Sequence, residues 1–321
     1  MKEFTVQKPD DGRRLDKWIK SHVPGLNNAL TQKFLRLKRI KRNGKPAHAD
    51  DRLEAGDVLN FYIEDEFFQP VQKKDKLLDG FKYDVKVVYE DENILLLDKK
   101  PGLICHPDEN EKVNTLLTHA RAYLYQKGEV NKDGFQPVLV NRIDRFTGGI
   151  VICAKNEESM HILSDKIRTH EIEKAYLCLT EGKMNPESGV LKGYIVKKQG
   201  KSRVTVQKTA SPGAQYAETK YKVLAYDKGK ALTECVLVTG RTHQIRAHLA
   251  HIGHPLLGDG KYGKNAGDRA VGYAHQALIS YRLRFSFTGE ATVLDYLSGR
   301  EFSLSPDDVW FLKEFPDAPR I

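Results

Sequence analysis

From Tyr83 onward the chain is a succession of short β-rich runs with few helical stretches between them, and nothing else in it constrains the fold as strongly. The runs are VKVVY, NILLLD, PVLVNRI, GIVICAK, AYLCLT, GVLKGYIV, RVTVQ, AETKYKVLAY, ALTECVLV and YRLRFSF, punctuated by turns such as Glu90-Asp91-Glu92-Asn93. Helical periodicity is confined to residues 115–126, 157–169 and 242–252. A further helix start is expected at Ser305, where Pro306 and the acidic pair Asp307-Asp308 follow a capping residue. Strands that run together rather than alternate with helices predict an α+β fold with a mainly antiparallel, mixed sheet over residues 83–321.

Residues 1–64 have a different character. Leu15, Trp18 and Ile19 give one helical stripe, and Leu30, Phe34 and Leu37 give a second. Asn43-Gly44 marks a turn, and residues 57–63 read as a strand. Residues 65–82 mix charge, Pro and Gly without periodicity, as a linker does. Two domains also suit a chain of 321 residues.

Seven of the thirteen residues from Lys33 to Lys45 are basic and none is acidic: Lys33, Arg36, Lys38, Arg39, Lys41, Arg42 and Lys45. Such a face suits a phosphate backbone, or is a solvated helix face, and the charge run alone leaves both open. The whole chain carries a net charge of +9, which favours polyanionic partners. Its Phe and Tyr are dispersed and no apolar run reaches membrane-spanning length, so no membrane partner is expected. The start, MKEFTVQKPDDGRR, lacks the apolar centre of a secretory signal, and a cytoplasmic location is expected. Cys105, Cys153, Cys178 and Cys235 lie far apart, three of them in apolar runs, which suits reduced core thiols.

The chain has no P-loop, no G-x-G-x-x-G, no C-x-x-C pair and no G-x-S-x-G elbow, so no cofactor is expected. Two polar segments could carry chemistry. In VLVNRIDRFTGGIVICAKN, Asp144 stands between Arg142 and Arg145 at the mouth of a sheet, and the flanking guanidinium groups favour the charged carboxylate. It can serve as nucleophile or base, or form an ordinary loop ion pair. In TGRTHQIRAHLAHIGHPLLGDGKYG, Arg241 and Arg246 bracket His243 and Gln244 at the start of an apolar-striped helix. The His243, His248, His251 and His254 run offers neither Cys nor an H-E-x-x-H arrangement, so no metal is expected and the imidazoles are read as hydrogen-bonding groups. Tyr176 is placed where a helix hands over to the sheet, as core or as a stacking surface for a base.

These residues resemble the bacterial pseudouridine synthases of the RluA type. The matching stretches, in the family's order, are YEDENILLLDKKPGLICHP, NRIDRFTGGIVICAKN, EKAYLCL, GRTHQIRAHLAHIGHPLLGD and YAHQALISYRLRF. The first sixty-five residues resemble the S4 RNA-binding module. The resemblance implies a pseudouridine synthase fold and a cofactor-free isomerisation of uridine in RNA. It also implies that Asp144 is the catalytic aspartate, that Tyr176 lies against the target uracil and takes part in proton removal, and that Arg246 pairs with the carboxylate. Arg142 resembles the side chain that fills the space left by the flipped nucleotide, while Arg145, Arg241, His243 and Gln244 are expected to contact RNA. Large-subunit ribosomal RNA is the first expected target and transfer RNA the second, and a monomer is expected. The family usually reads His-Arg-Leu-Asp followed by Thr-Ser-Gly, where this chain has Asn141, Ile143 and Gly148, and Asp98 replaces a common asparagine. Asn141 and Gly148 motivate a non-catalytic RNA-binding or ribosome-assembly factor on the same scaffold as the rival expectation.

Overall fold

The computed structural model describes residues 1–68, 78–129, 135–197, 202–263, 268 and 272–319. The chain divides into one unit of Met1–Asp79 with Glu129–Phe135, and a second of Gly80–Gly128 with Gln136–Ile321.

The first unit packs α1 (Leu15–His22) and α2 (Asn28–Arg36) on a four-stranded antiparallel sheet. Its strands are β1 (Lys2–Thr5), β2 (Ile40–Arg42), β3 (Lys45–Pro46) and β4 (Val58–Phe61), in the order β1-β4-β2-β3. Leu15, Trp18 and Ile19 form the buried stripe of α1. α2 starts where the Asn27 side chain accepts the Leu30 amide at 2.9 Å. It stops at Arg36, where the left-handed Lys38 (φ 56°) turns the chain, so Leu35 is buried while Leu37 stays 53% exposed, correcting the expected second stripe. Phe67 and Phe68, in a 3-10 turn at Asp65–Phe68, pack onto this core, so the expected linker begins later than residue 65. Its residues 69–77 lie outside the described residues.

In the second unit the strands are β5 (Lys86–Glu90), β6 (Ile94–Lys99), β7 (Val138–Leu139), β8 (Gly148–Ala154), β9 (Ile172–Glu181), β10 (Ser188–Lys197), β11 (Val204–Gln207), β12 (Gln215–Asp227), β13 (Lys230–Leu237), β14 (Leu278–Phe285) and β15 (Glu301–Ser303). Among the described residues they form one sheet in the order β11-β10-β12-β13-β9-β14-β8-β6-β5, with β15 beside β14 and β7 beside β8. The β14–β8 pairing is parallel and the others are antiparallel, which is the mixed, mainly antiparallel sheet expected. The helices are α3 (Leu116–Gln126), α4 (Glu157–Arg168) and α5 (Gln244–His251).

Strand alternation sends successive side chains to opposite faces. Ala175, Leu177 and Leu179 of β9 join Ile94, Leu96, Ile150, Ile152 and Leu163 of α4 in the main core. The other face receives α5, whose Ala247 packs with Ile195, Val204 and Ala217. That leaves Tyr176 on the α5 side, and the functional cavity forms there.

Two expected elements are shorter than their sequence pattern. Only Val138–Leu139 of PVLVNRI pair as strand, because Asn141 turns its side-chain oxygen onto the Ile152 amide at 2.8 Å and the chain becomes a loop. The helix start at Ser305 yields one 3-10 turn, Pro306–Asp308, without a side-chain cap, since Val309 and Phe311 turn into the core directly after it.

Candidate active site

Three loops and a helix converge on a cavity of about 440 Å³, within the size range of small-ligand sites. The Asp144 loop runs between β7 and β8 and is closed by a hydrogen bond from the Thr147 amide to the Asp144 carbonyl at 3.1 Å. It is anchored from below by Lys99 at the end of β6. This fully buried ammonium donates to the carbonyls of Lys100 (3.1 Å), Leu103 (2.7 Å) and Arg145 (2.9 Å), tying two loops together. Burial pushes its pKa down to about 8, and the nearby Cys105, Asp144 and Asp98 oppose the fall.

Gly149 explains why this loop enters the sheet through glycine. Its φ is +107°, and a Cβ would stand 2.2 Å from the Ser280 carbonyl oxygen where β8 runs beside β14. Gly148 is closely packed as well, since a Cβ there would meet the Pro101 ring at 3.3 Å.

The Asp144 Oδ2 accepts a hydrogen bond from Nη1 of Arg246 at 2.7 Å. The rest of that guanidinium is held by Asp259, through Nε at 2.7 Å and Nη2 at 2.8 Å, in the two-pronged geometry that fixes an arginine in orientation. Asp259 is fully buried and also accepts the backbone amides of Lys261 (2.9 Å) and Tyr262 (3.2 Å). Burial alone would lower the Arg246 pKa, but the two carboxylates raise it above its ordinary value, so the side chain is a permanent cation. Tyr262 lies under the guanidinium, 5.3 Å from ring centre to Cζ. Asp259 was not singled out by its sequence, although it closes the GRTHQIRAHLAHIGHPLLGD stretch thirteen residues after Arg246.

Tyr176 lines the same cavity and is 5% exposed. It sits in the body of β9, which begins four residues earlier at Ile172, and not at a helix-to-sheet junction as expected. A bulge in the β9–β14 pairing lies beside it, between Ser280 and Arg282. Burial raises its phenol pKa, partly offset by a hydrogen bond with Ser280, so the hydroxyl keeps its proton near neutral pH.

His243 sits left-handed (φ 52°) at the start of α5, with Nδ1 3.1 Å from the Tyr262 hydroxyl and Nε2 3.8 Å from Asp144. Burial pushes its pKa down to about 4 against the pull of Asp144, so it is a neutral imidazole at pH 7. His248 and His254 meet the Thr219 hydroxyl and the Glu181 carbonyl. Among the described residues no cluster of three or more His, Cys, Asp or Glu forms a metal site.

The remaining expected RNA contacts separate by position. Arg142 and Arg241 are exposed and line the cavity, Arg241 being tied to the Tyr216 carbonyl at 3.0 Å. Arg145 points elsewhere and donates to the Gly102 carbonyl at 3.0 Å. Gln244 is 2% exposed, and its amide is saturated by Thr239, the Arg241 amide, the Glu218 carbonyl and Thr219, so it acts as a strut and not as an RNA contact. In the first unit Arg42 is engaged with Asp57 at 2.6 Å, Lys41 lies over the Tyr62 ring and Arg39 reaches the Tyr62 carbonyl. Lys33, Arg36, Lys38 and Lys45 make no ion pair among the described residues.

Residues 93–251 match the family model described as RNA pseudouridylate synthase. An uncharacterized RNA pseudouridine synthase of Mycoplasma genitalium is 32% identical, with 88% of each chain covered. Ribosomal large subunit pseudouridine synthase C of Rickettsia felis is 34% identical over 78% of this chain and 81% of its own. Among solved structures, human RNA pseudouridylate synthase domain containing 4 shares the fold with a TM-score of 0.53 at 23% identity, covering 68% of this chain and 87% of that one. Identity of this extent is a relationship of family and not of fold alone: the chain belongs to the RNA pseudouridine synthases, isomerases that convert uridine in RNA to pseudouridine.

Proposed function

We propose that this enzyme isomerises uridine in large-subunit ribosomal RNA, with Asp144 as the reacting carboxylate, Arg246 as its cationic partner and Tyr176 against the uracil. One observation carries the assignment of roles: Asp144 is the sole carboxylate among the described residues lining the cavity, and a buried arginine aims it. The isomerisation breaks the N1–C1′ bond, turns the base and joins C5 to C1′, with a proton leaving C5 and one arriving at N1. No electrons enter or leave, so one oriented oxygen anion and a proton path suffice. The hydrogen bond from Arg246 orients that carboxylate, and its fixed positive charge stands ready beside the reacting oxygen.

The target base must leave its stack to reach Asp144, at a cost of a few kcal/mol. Exposed Arg142 and Arg241 at the rim, and Lys33, Arg36, Lys38 and Lys45 of an S4-like N-terminal module, which make no ion pair among the described residues, offset that cost through phosphate contacts. The ribosomal target is supported by the names of relatives, which include large-subunit enzyme C of Rickettsia felis and enzyme D of Nitrosomonas europaea, the latter 28% identical over 91% of this chain.

Mapping pseudouridines in ribosomal and transfer RNA from cells with and without the enzyme tests the target. Sites lost only from transfer RNA overturn the ribosomal assignment. On the mapped RNA, Asp144→Asn is expected to lose roughly a thousand-fold or more of the rate while still binding RNA. Full activity in that variant removes Asp144 from the reaction.

A further inference from the structure

Lys174 stands two residues before Tyr176 on β9, so strand alternation puts both side chains on one face, and both line the cavity with Asp144. It is 8% exposed. Its ammonium makes one hydrogen bond among the described residues, to the Ile172 carbonyl at 3.2 Å, and no carboxylate pairs with it. An ammonium has three N–H donors, and leaving two unmade inside a protein is costly. Lys99 shows the contrast within the same molecule: it is buried too, yet all three donors rest on carbonyls. Lys99 is complete as a structural post, and Lys174 is not.

The cations of the cavity divide by exposure. Arg142, Arg168 and Arg241 are exposed, where phosphates of a bound strand would be within reach. Lys174 and Arg246 are buried, but Arg246 is already engaged by Asp144 and Asp259, whereas Lys174 lies beside its cross-strand partner Leu237 with Leu278 also in the wall, at the depth that an extruded base would reach. We propose that Lys174 donates a hydrogen bond to a carbonyl oxygen of the extruded uracil, making it a base-holding and uracil-selecting residue of the reaction. This deepens the assignment of the cavity as the uridine site and rests on it.

Uracil offers carbonyl acceptors at C2 and C4, whereas cytosine carries an amino donor at C4 that an ammonium repels. The isomerisation adds a second consequence. Turning the ring about the axis through N3 and C6 exchanges N1 with C5, and by the same symmetry exchanges O2 with O4. A single donor at Lys174 therefore meets a carbonyl before the turn and again after it. The base is held in both orientations by one group that does not move.

The test is a cycle between protein and base. The mapped RNA fragment is made with uridine, 2-thiouridine or 4-thiouridine at the target, sulfur being the weaker acceptor, and single-turnover rates are measured with wild type and with Lys174→Met. Lys174→Met is expected to slow the uridine substrate about ten- to a hundred-fold, the usual consequence of losing a charge-assisted hydrogen bond. Each thio substitution should slow wild type but cost little further in the variant. Equal thio penalties in both proteins overturn the proposal, as does an unchanged rate on uridine. Lys174→Gln, which keeps an N–H donor, should recover part of the rate, and a recovery no better than Met counts against the hydrogen bond. The thermal midpoint of Lys174→Met is expected to hold or rise, because an underbonded buried charge has been removed. Failure of wild type on plain uridine RNA would instead indict the functional assignment itself.

Discussion

Asp259 has no exposed surface, yet it determines where the Asp144 charge sits. Its two oxygens occupy Nε and Nη2 of Arg246, which leaves Nη1 as the donor for Asp144. Removing it strands a buried guanidinium, so Asp259→Ala should cost about 3–5 kcal/mol in urea unfolding and also lower the rate. Destabilisation below about 1 kcal/mol would mean that the ion pair is not desolvated as described. His248 supplies a pH signature. Burial holds its pKa down at about 4 against an ordinary 6.5. As pH falls below 6.5 the unfolded chain takes up a proton that the native imidazole refuses until about 4, so native stability is full above that window and declines through it. The slope is at most about 1.4 kcal/mol per pH unit, and His248→Gln should flatten the change in urea midpoint between about pH 7 and 5. Asp144, Arg246 and Tyr176 were legible as motif residues. Asp259 was not, because its partner reaches it only when the chain folds back after α5, and no local spacing signals that return.

At the scale of elements, the β8 entry is the most demanding position. Gly149→Ala places a methyl 2.2 Å from the Ser280 carbonyl at a φ that L-residues avoid, and about 3 kcal/mol or more of stability should be lost. Gly148→Ala meets only the Pro101 ring at 3.3 Å and the Lys99 carbonyl oxygen at 3.4 Å, so its thermal midpoint should fall distinctly less. Equal losses would show that the close parallel approach of β8 and β14 is not what demands glycine. Most of the strands and the three helices of the second unit were readable from periodicity, since alternation and helical stripes report burial locally. Their ends were less so. Leu37 continues the apolar pattern of α2 but lies beyond its last turn, and PVLVNRI continues a strand pattern where the Asn141 side chain has already diverted the backbone.

At the scale of the whole molecule, a net charge of +9 makes RNA binding weaken with salt. Not every cation contributes equally. Replacing Lys33, Arg36, Lys38 and Lys45 together by Gln should lower the slope of log K against log salt by about 0.7–0.9 for each phosphate no longer neutralised, measured by RNA binding titrations. Arg42→Gln should chiefly destabilise the first unit, because its charge is already spent on Asp57. An unaltered salt slope in the fourfold variant would free that face from any role in binding.

Periodicity and turn residues in the sequence alone determined the α+β class and the separation of a basic N-terminal unit, and the resemblance of its motifs to a family pointed to Asp144 and to its pairing with Arg246. These properties are local, written in neighbouring residues. Tertiary structure alone decided that Gln244 is a strut, that Arg145 faces away, that Asp259 clamps Arg246 and that Lys174 is left underbonded in the cavity wall. Those outcomes depend on which distant groups compete for each hydrogen bond once burial removes water as the alternative partner.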